Sequence, residues 1–245
     1  MPAEGKQQKS QLDSISTLEC WKKTSLGTAI ELISSAPLED LRTEHPILLM
    51  GGIHGDEPEG VKLASETLRW LKKATEEKKQ LAPWVVIPCL NVDGFANKMR
   101  VNGRGVDLNR NYPSQNWSPK FDKERYFPGP SAASEAEIVG VVELIQTLKP
   151  RLLIHCHSWK PCIVGTGETS KVDTERLSRC SGYQGMDDIG YPTPGSLSEY
   201  GWHDLGIPVI CIEEQDNLTD LSPIWSRFEK GMEEIFTDLS LRRPS

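Results

Sequence analysis

ILLMGGIHGDEPEG, residues 47–60, decides the fold. Its opening apolar run has no polar alternation, which suits a strand buried on both faces. Two glycines then turn the chain, and apolar residues at helical spacing take over from Glu59 to Glu77, up to Trp70 and Leu71. Buried strand, tight turn and amphipathic helix in that order are the unit from which α/β folds are built. The alternation recurs on both sides. Further strands are predicted at Ala29–Ile33, Pro46–Met50, Trp84–Cys89, Arg151–Cys156, Pro161–Val164 and Pro208–Ile212, and further helices at Ser134–Leu148, Lys171–Gly182 and Pro223–Leu239. Ser134 followed by Glu137 reads as a capping box for its helix. The implied fold class is α/β, a mostly parallel sheet with helices on both faces.

No internal repeat, linker or composition break interrupts the 245 residues, so one domain spanning 1–245 is expected, with 1–18 as a flexible N-terminal segment. That length can bury a substantial core unaided. A net charge of −7 argues against nucleic acid as a partner, because tracking phosphates needs surplus Lys and Arg. No stretch approaches the roughly 18 apolar residues of a membrane span. The polar start, MPAEGKQQKSQLDS, has no signal-peptide core. The reading is a soluble, cytoplasmic chain, or a periplasmic one where a leader has been removed, and a monomer or homodimer. Its six cysteines form no CxxC pair and read as buried free thiols.

Three polar segments carry chemistry. In the first, His54 and Glu57 form HxxE at the carboxyl end of a buried strand, where open sheets bind ligands. Imidazole and carboxylate are ordinary zinc ligands, and a catalytic zinc takes three protein ligands. The third would come from RLLIHCH, where His155 and His157 share a strand face, so parity does not choose between them. His157 lies nearer the strand end and is the preferred ligand, with His155 as a hydrogen-bonded core histidine. In the second segment, Arg100, Arg104 and Arg110 accompany GVDLNRNYP, which is too dense in hydrogen-bonding groups for a casual loop. Arginine offers a planar fork for a carboxylate or an oxyanion. In the third, IPVICIEEQDN, an apolar strand ends in Glu213 and Glu214, pointing to opposite faces. A carboxylate at such a rim can acquire the raised pKa of a general base. Orientation alone does not choose between the two.

Together, HxxE, a later strand-end His, GVDLNRNYP and a late strand-end Glu resemble the zinc carboxypeptidase family, from about Leu48 to Gln215. The resemblance implies a three-layer α/β/α fold with a mixed, mostly parallel twisted sheet. It implies one Zn2+ per chain held by His54, Glu57 and His157, with Glu213 as the base and Arg100 as the oxyanion stabiliser. Asn109 and Arg110 would clamp the substrate carboxylate, and Tyr191 would be the mobile tyrosine over the substrate. HGDE, the RxNxxGVDLNRN spacing, PGxxxxSEAE and YxTPGS more particularly resemble compact bacterial amidases that split murein peptides between γ-D-glutamate and meso-diaminopimelate. Two departures stand out: Val92 replaces the family's common proline in Asn-Pro-Asp-Gly, and SWKPCIVG after His157 is unlike the family. Other readings are a general zinc carboxypeptidase, a zinc deacylase of the aspartoacylase or succinylglutamate desuccinylase kind, and a non-catalytic binder of peptidoglycan peptides.

Overall fold

In the computed structural model, which describes residues 15–240, one eight-stranded sheet organises the chain. Its strands are β1 (Ser16–Lys23), β2 (Ala29–Ser34), β3 (Ile47–Met50), β4 (Trp84–Ile87), β5 (Leu152–Trp159), β6 (Cys162–Thr166), β7 (Gln184–Met186) and β8 (Val209–Gln215). They lie in the order β1-β2-β4-β3-β5-β8-β6-β7. The centre, β4-β3-β5-β8, is parallel, as is β6-β7; β1-β2, β2-β4 and β8-β6 are antiparallel. The sheet is mixed around a parallel centre, as the buried apolar runs require.

Strand alternation divides the core between two layers of helix. Leu49, Val86, Ile154 and Ile212 face α1 (Pro58–Glu76), α4 (Lys171–Ser181) and α5 (Pro223–Thr237), meeting Leu68, Leu177 and Phe228. Leu48, Val85, Leu153 and Val209 face the other way, toward Ile138, Val141 and Leu144 of α3 (Ala136–Leu148). Burial of each such side chain is worth about 1.5–3 kcal/mol. A one-residue slip would forfeit many of these contacts at once, so register is strongly held. Two and four residues beyond Leu153 and Val209, the same rows continue as His155, His157, Cys211 and Glu213. The core thus fixes the face on which these polar groups emerge.

Several boundaries differ from expectation. β1 is an edge strand with mostly exposed side chains, so it lacks the buried run that marks the others, and residues 16–18 of the expected flexible segment belong to it. Residues 1–14 of that segment lie outside the described residues. β7 is a short, exposed edge strand and was equally invisible. β4 stops at Ile87 because Pro88 has no N–H to donate. β5 and β8 extend past their apolar parts, pairing His157 with Glu213 and Trp159 with Gln215. The capping box does not form. α3 starts at Ala136 with no side-chain cap, Ser134 Oγ donates to Glu135 Oε1, and Glu137 accepts from Asn102 Nδ2 at 3.2 Å. A further helix, α2 (Val92–Asn97), is capped by Asn91. Val92 opens it, at the position where proline is also tolerated, so the departure from Asn-Pro-Asp-Gly leaves this turn intact. All six cysteines are free; Cys156, Cys162 and Cys211 are buried, Cys89 and Cys180 half-buried and Cys20 exposed. Among the described residues no helix is long and apolar enough to cross a membrane.

Candidate active site

β3 leads through α1 to β4 on one flank, while β5 lies on its other flank. Such a switch point leaves a crevice at the carboxyl ends of the strands. Three side chains meet there. Gly52, at φ +60°, turns the chain out of β3 toward His54; a Cβ in its place would sit 2.7 Å from Val61. Glu57 is the N-cap of α1, whose first turn rests on the end of β5. A Cβ on Gly60 would come within 2.3 Å of the Cys156 carbonyl oxygen, so only glycine lets the helix approach so closely.

His54 Nδ1 lies 2.8 Å from Glu57 Oε1, His157 Nδ1 lies 2.9 Å from Glu57 Oε2, and the two Nδ1 atoms are 3.1 Å apart. Convergence of two imidazole nitrogens and a carboxylate suits a divalent ion with bonds of about 2.0–2.2 Å. The donor set therefore fits zinc. A second trio, His155, His157 and Cys211, also converges. It shares His157 with the first trio, and its Cys211 thiol is already engaged as a donor to Glu213 Oε1.

The neighbours orient these groups. His54 Nε2 is 3.1 Å from Asp107 Oδ1, and Asp107 Oδ2 accepts from Arg100 Nε at 3.0 Å. Arg100 Nη1 also donates to Glu57 Oε1 at 3.3 Å, and the Tyr126 ring stacks on the guanidinium at 5.3 Å. Ser158 N–H donates to Glu57 Oε2 at 3.1 Å. Burial raises the Asp107 carboxyl, yet His54 and Arg100 prevail and hold it strongly depressed. Burial likewise opposes ionisation of Glu57, and the two histidines keep it well below the usual range.

Glu213 is different. Burial, reinforced by the charge of Glu57, pushes its carboxyl up to about 8. The Cys211 thiol donates to Oε1 at 3.4 Å, while the buried Oε2 has no partner among the described residues. Glu214 points to the opposite layer, where the Tyr183 hydroxyl and Arg227 Nη1 donate to it.

Around this centre, Asn109 Oδ1 accepts from Leu197 N–H at 3.0 Å, which orients its amide. Arg110 donates to the Asn109 carbonyl at 2.7 Å and pairs with no carboxylate among the described residues. Tyr191 is about half exposed and meets Trp159 edge-on at 5.8 Å; Glu213, Arg110 and Arg100 all act on its phenol electrostatically. The unusual SWKPCIVG segment supplies that Trp159, and it sets Cys162 beside Glu213 in the sheet.

The structure thus brings His54, Glu57, His157, Arg100 and Glu213 together, sets Tyr191 within electrostatic reach of Glu213, Arg110 and Arg100, and ties Asn109 to this centre through Arg110. The sequence assigns no role to Asp107, carries no sign of Tyr126, and marks for His155 only a hydrogen-bonded core position, whose partner is His157 Nε2 at 2.9 Å from His155 Nδ1. Asp107 sits inside the quoted GVDLNRNYP run and was legible as a member of a dense polar loop; Tyr126 left no signal.

The zinc carboxypeptidase family model matches residues 9–209, ending just before Glu213. Murein peptide amidase A of Escherichia coli K12 is 29% identical over 177 residues, covering 68% of this chain and 69% of that protein. The crystal structure of a murein-tripeptide amidase from Escherichia coli O157 superposes with a TM-score of 0.65 at 25% identity, over 89% of each chain. Carboxypeptidase A from Helicoverpa armigera shares the fold, with a TM-score of 0.72 at 17% identity over 93% of this chain and 70% of that one.

Proposed function

This chain belongs to the zinc carboxypeptidase family, and we propose that it hydrolyses murein peptides at the bond between γ-D-glutamate and meso-diaminopimelate. One observation carries the catalytic part. Oε2 of Glu213, without a partner among the described residues, lies on a strand position paired with His157 and within electrostatic reach of His54 and Glu57, whose donor atoms converge with His157 Nδ1. The likeness to murein peptide amidase A supports the substrate.

His54, Glu57 and His157 would hold one zinc, which supplies a Lewis acid and lets water act as a nucleophile at neutral pH. Glu213, desolvated and close to neutral in its proton affinity, takes a proton from water and delivers it to the leaving amine. Arg100, held by Asp107 and Tyr126, stabilises the oxyanion. Arg110 lacks a carboxylate of its own and receives the one beside the leaving amine, with Asn109 completing the clamp. Tyr191 closes over the bound peptide. This substrate class would place the chain in turnover of cell-wall peptides, in the cytoplasm on the sequence reading.

The clamp gives the test. The tripeptide L-alanyl-γ-D-glutamyl-meso-diaminopimelate is compared with the same peptide amidated at the carboxylate next to the scissile bond. Amidation is expected to lower kcat/KM by about 100-fold, the scale of one lost charge-assisted pair at 2–3 kcal/mol. Equal turnover of both peptides, or preferred turnover of N-acyl amino acids, would instead support the deacylase reading.

A further inference from the structure

The two histidines at the centre are braced differently. Both turn Nδ1 toward Glu57 and Nε2 away from it, but behind His54 stands the Asp107 carboxylate at 3.1 Å and behind His157 stands the ring of His155 at 2.9 Å. The His155 and His157 rings meet edge-on with centroids 4.7 Å apart, and both are buried. A histidine that ligates through Nδ1 carries its proton on Nε2, and that proton needs an acceptor. His155 can accept it only through a bare Nδ1, which puts its own proton on Nε2. That Nε2 is buried with no partner among the described residues. A histidine kept only for packing would satisfy its donor or give way to an apolar residue, since an unmet buried donor costs about 1–3 kcal/mol. The side-chain contact that His155 makes among the described residues is through Nδ1, to His157 Nε2.

We propose that His155 is a positioning residue for the zinc centre, its Nδ1 accepting the Nε2 proton of His157 and so fixing the tautomer and ring plane in which His157 offers Nδ1 to the metal. The proposal rests on the zinc-ligand reading above. It also gives the two ligands different characters. An anionic acceptor strengthens its histidine as a donor, whereas a neutral one orients the ring without adding charge.

Substitutions at His155 separate acceptor position from bulk. Asparagine places its carbonyl oxygen near the position of the imidazole Nδ1. Glutamine reaches about as far as Nε2, and leucine fills space without accepting. Zinc affinity is measured by competition with a chromophoric chelator, and the visible spectrum of the cobalt-loaded protein reports ligand geometry; circular dichroism verifies folding. His155→Gln and His155→Leu should each bind zinc about 10–100-fold more weakly than wild type and shift the cobalt bands, while His155→Asn stays within about threefold with an unshifted spectrum. Wild-type affinity and spectrum in His155→Gln would overturn the proposal, as would an asparagine variant no better than the glutamine one. Failure of the wild-type chain to bind zinc at all would overturn the ligand reading itself, a result distinct from either.

Discussion

Glu213 and Glu214 are neighbours on one strand, of one chemical type and both buried, yet they occupy different worlds. Glu213 faces the α3 layer, beside Glu57 and His157, with one oxygen unpartnered and its carboxyl pushed up to about 8. Glu214 faces the α4 and α5 layer, where Tyr183 and Arg227 donate to it. A satisfied carboxylate stabilises structure; an unsatisfied, desolvated one is available to move a proton. Strand parity sends the two to opposite layers, and which layer each meets is set by the packing of apolar residues such as Val209 and Ile212, not by the glutamates.

The contrast breaks most visibly in turnover. Glu213→Gln should retain zinc and lose about 10²–10⁴-fold in kcat, the range for loss of a general base, while Glu214→Gln should change kcat by less than about threefold. Steady-state kinetics with metal analysis reads both, and comparable losses in the two variants would dissolve the distinction.

Stability should reverse the order. Glu214→Gln leaves Arg227 without its carboxylate, and with Arg227 partly exposed the cost should be about 1–3 kcal/mol. At roughly 2–4 °C per kcal/mol for a chain of this size, the melting temperature falls by several degrees in a calorimetric scan.

The contrast also shows in a pH dependence of the zinc-free chain. The folded Glu213 carboxyl titrates near 8 against an ordinary 4.5, so the folded state binds that proton more tightly than the unfolded state does. Its stabilising contribution is complete below about 4.5 and is lost as pH rises through about 8. The melting temperature of the zinc-free wild type should therefore fall relative to that of Glu213→Gln between pH 5 and pH 8. Parallel curves across that window would show that Glu213 is solvated like any surface acid.

Much of this was legible in the sequence, for identifiable reasons. The central strands announced themselves because burial on both faces demands unbroken apolar runs, and HxxE, GVDLNRNYP and the strand-end glutamates stood out at their ends. Edge strands β1 and β7 were hidden because exposure removes that demand. Strand parity left His155 against His157 and Glu213 against Glu214 undecided; nearness to the strand end favoured His157, and the family resemblance favoured Glu213. Both histidines share a face, so only the closeness of α1, permitted by Gly60, selects His157 as the partner of Glu57. The glutamates needed the layer assignment, a three-dimensional fact about α3 against α4 and α5. Tyr126 stacks on Arg100 from a loop without periodicity, a contact made by tertiary folding alone.

Release of diaminopimelate from L-alanyl-γ-D-glutamyl-meso-diaminopimelate, followed by mass spectrometry before and after chelation and zinc restoration, tests the central claim most directly. The account predicts cleavage into L-alanyl-D-glutamate and diaminopimelate by the zinc-loaded chain, loss of cleavage on chelation and its return with zinc. An intact tripeptide in the presence of the folded, zinc-loaded chain would contradict it.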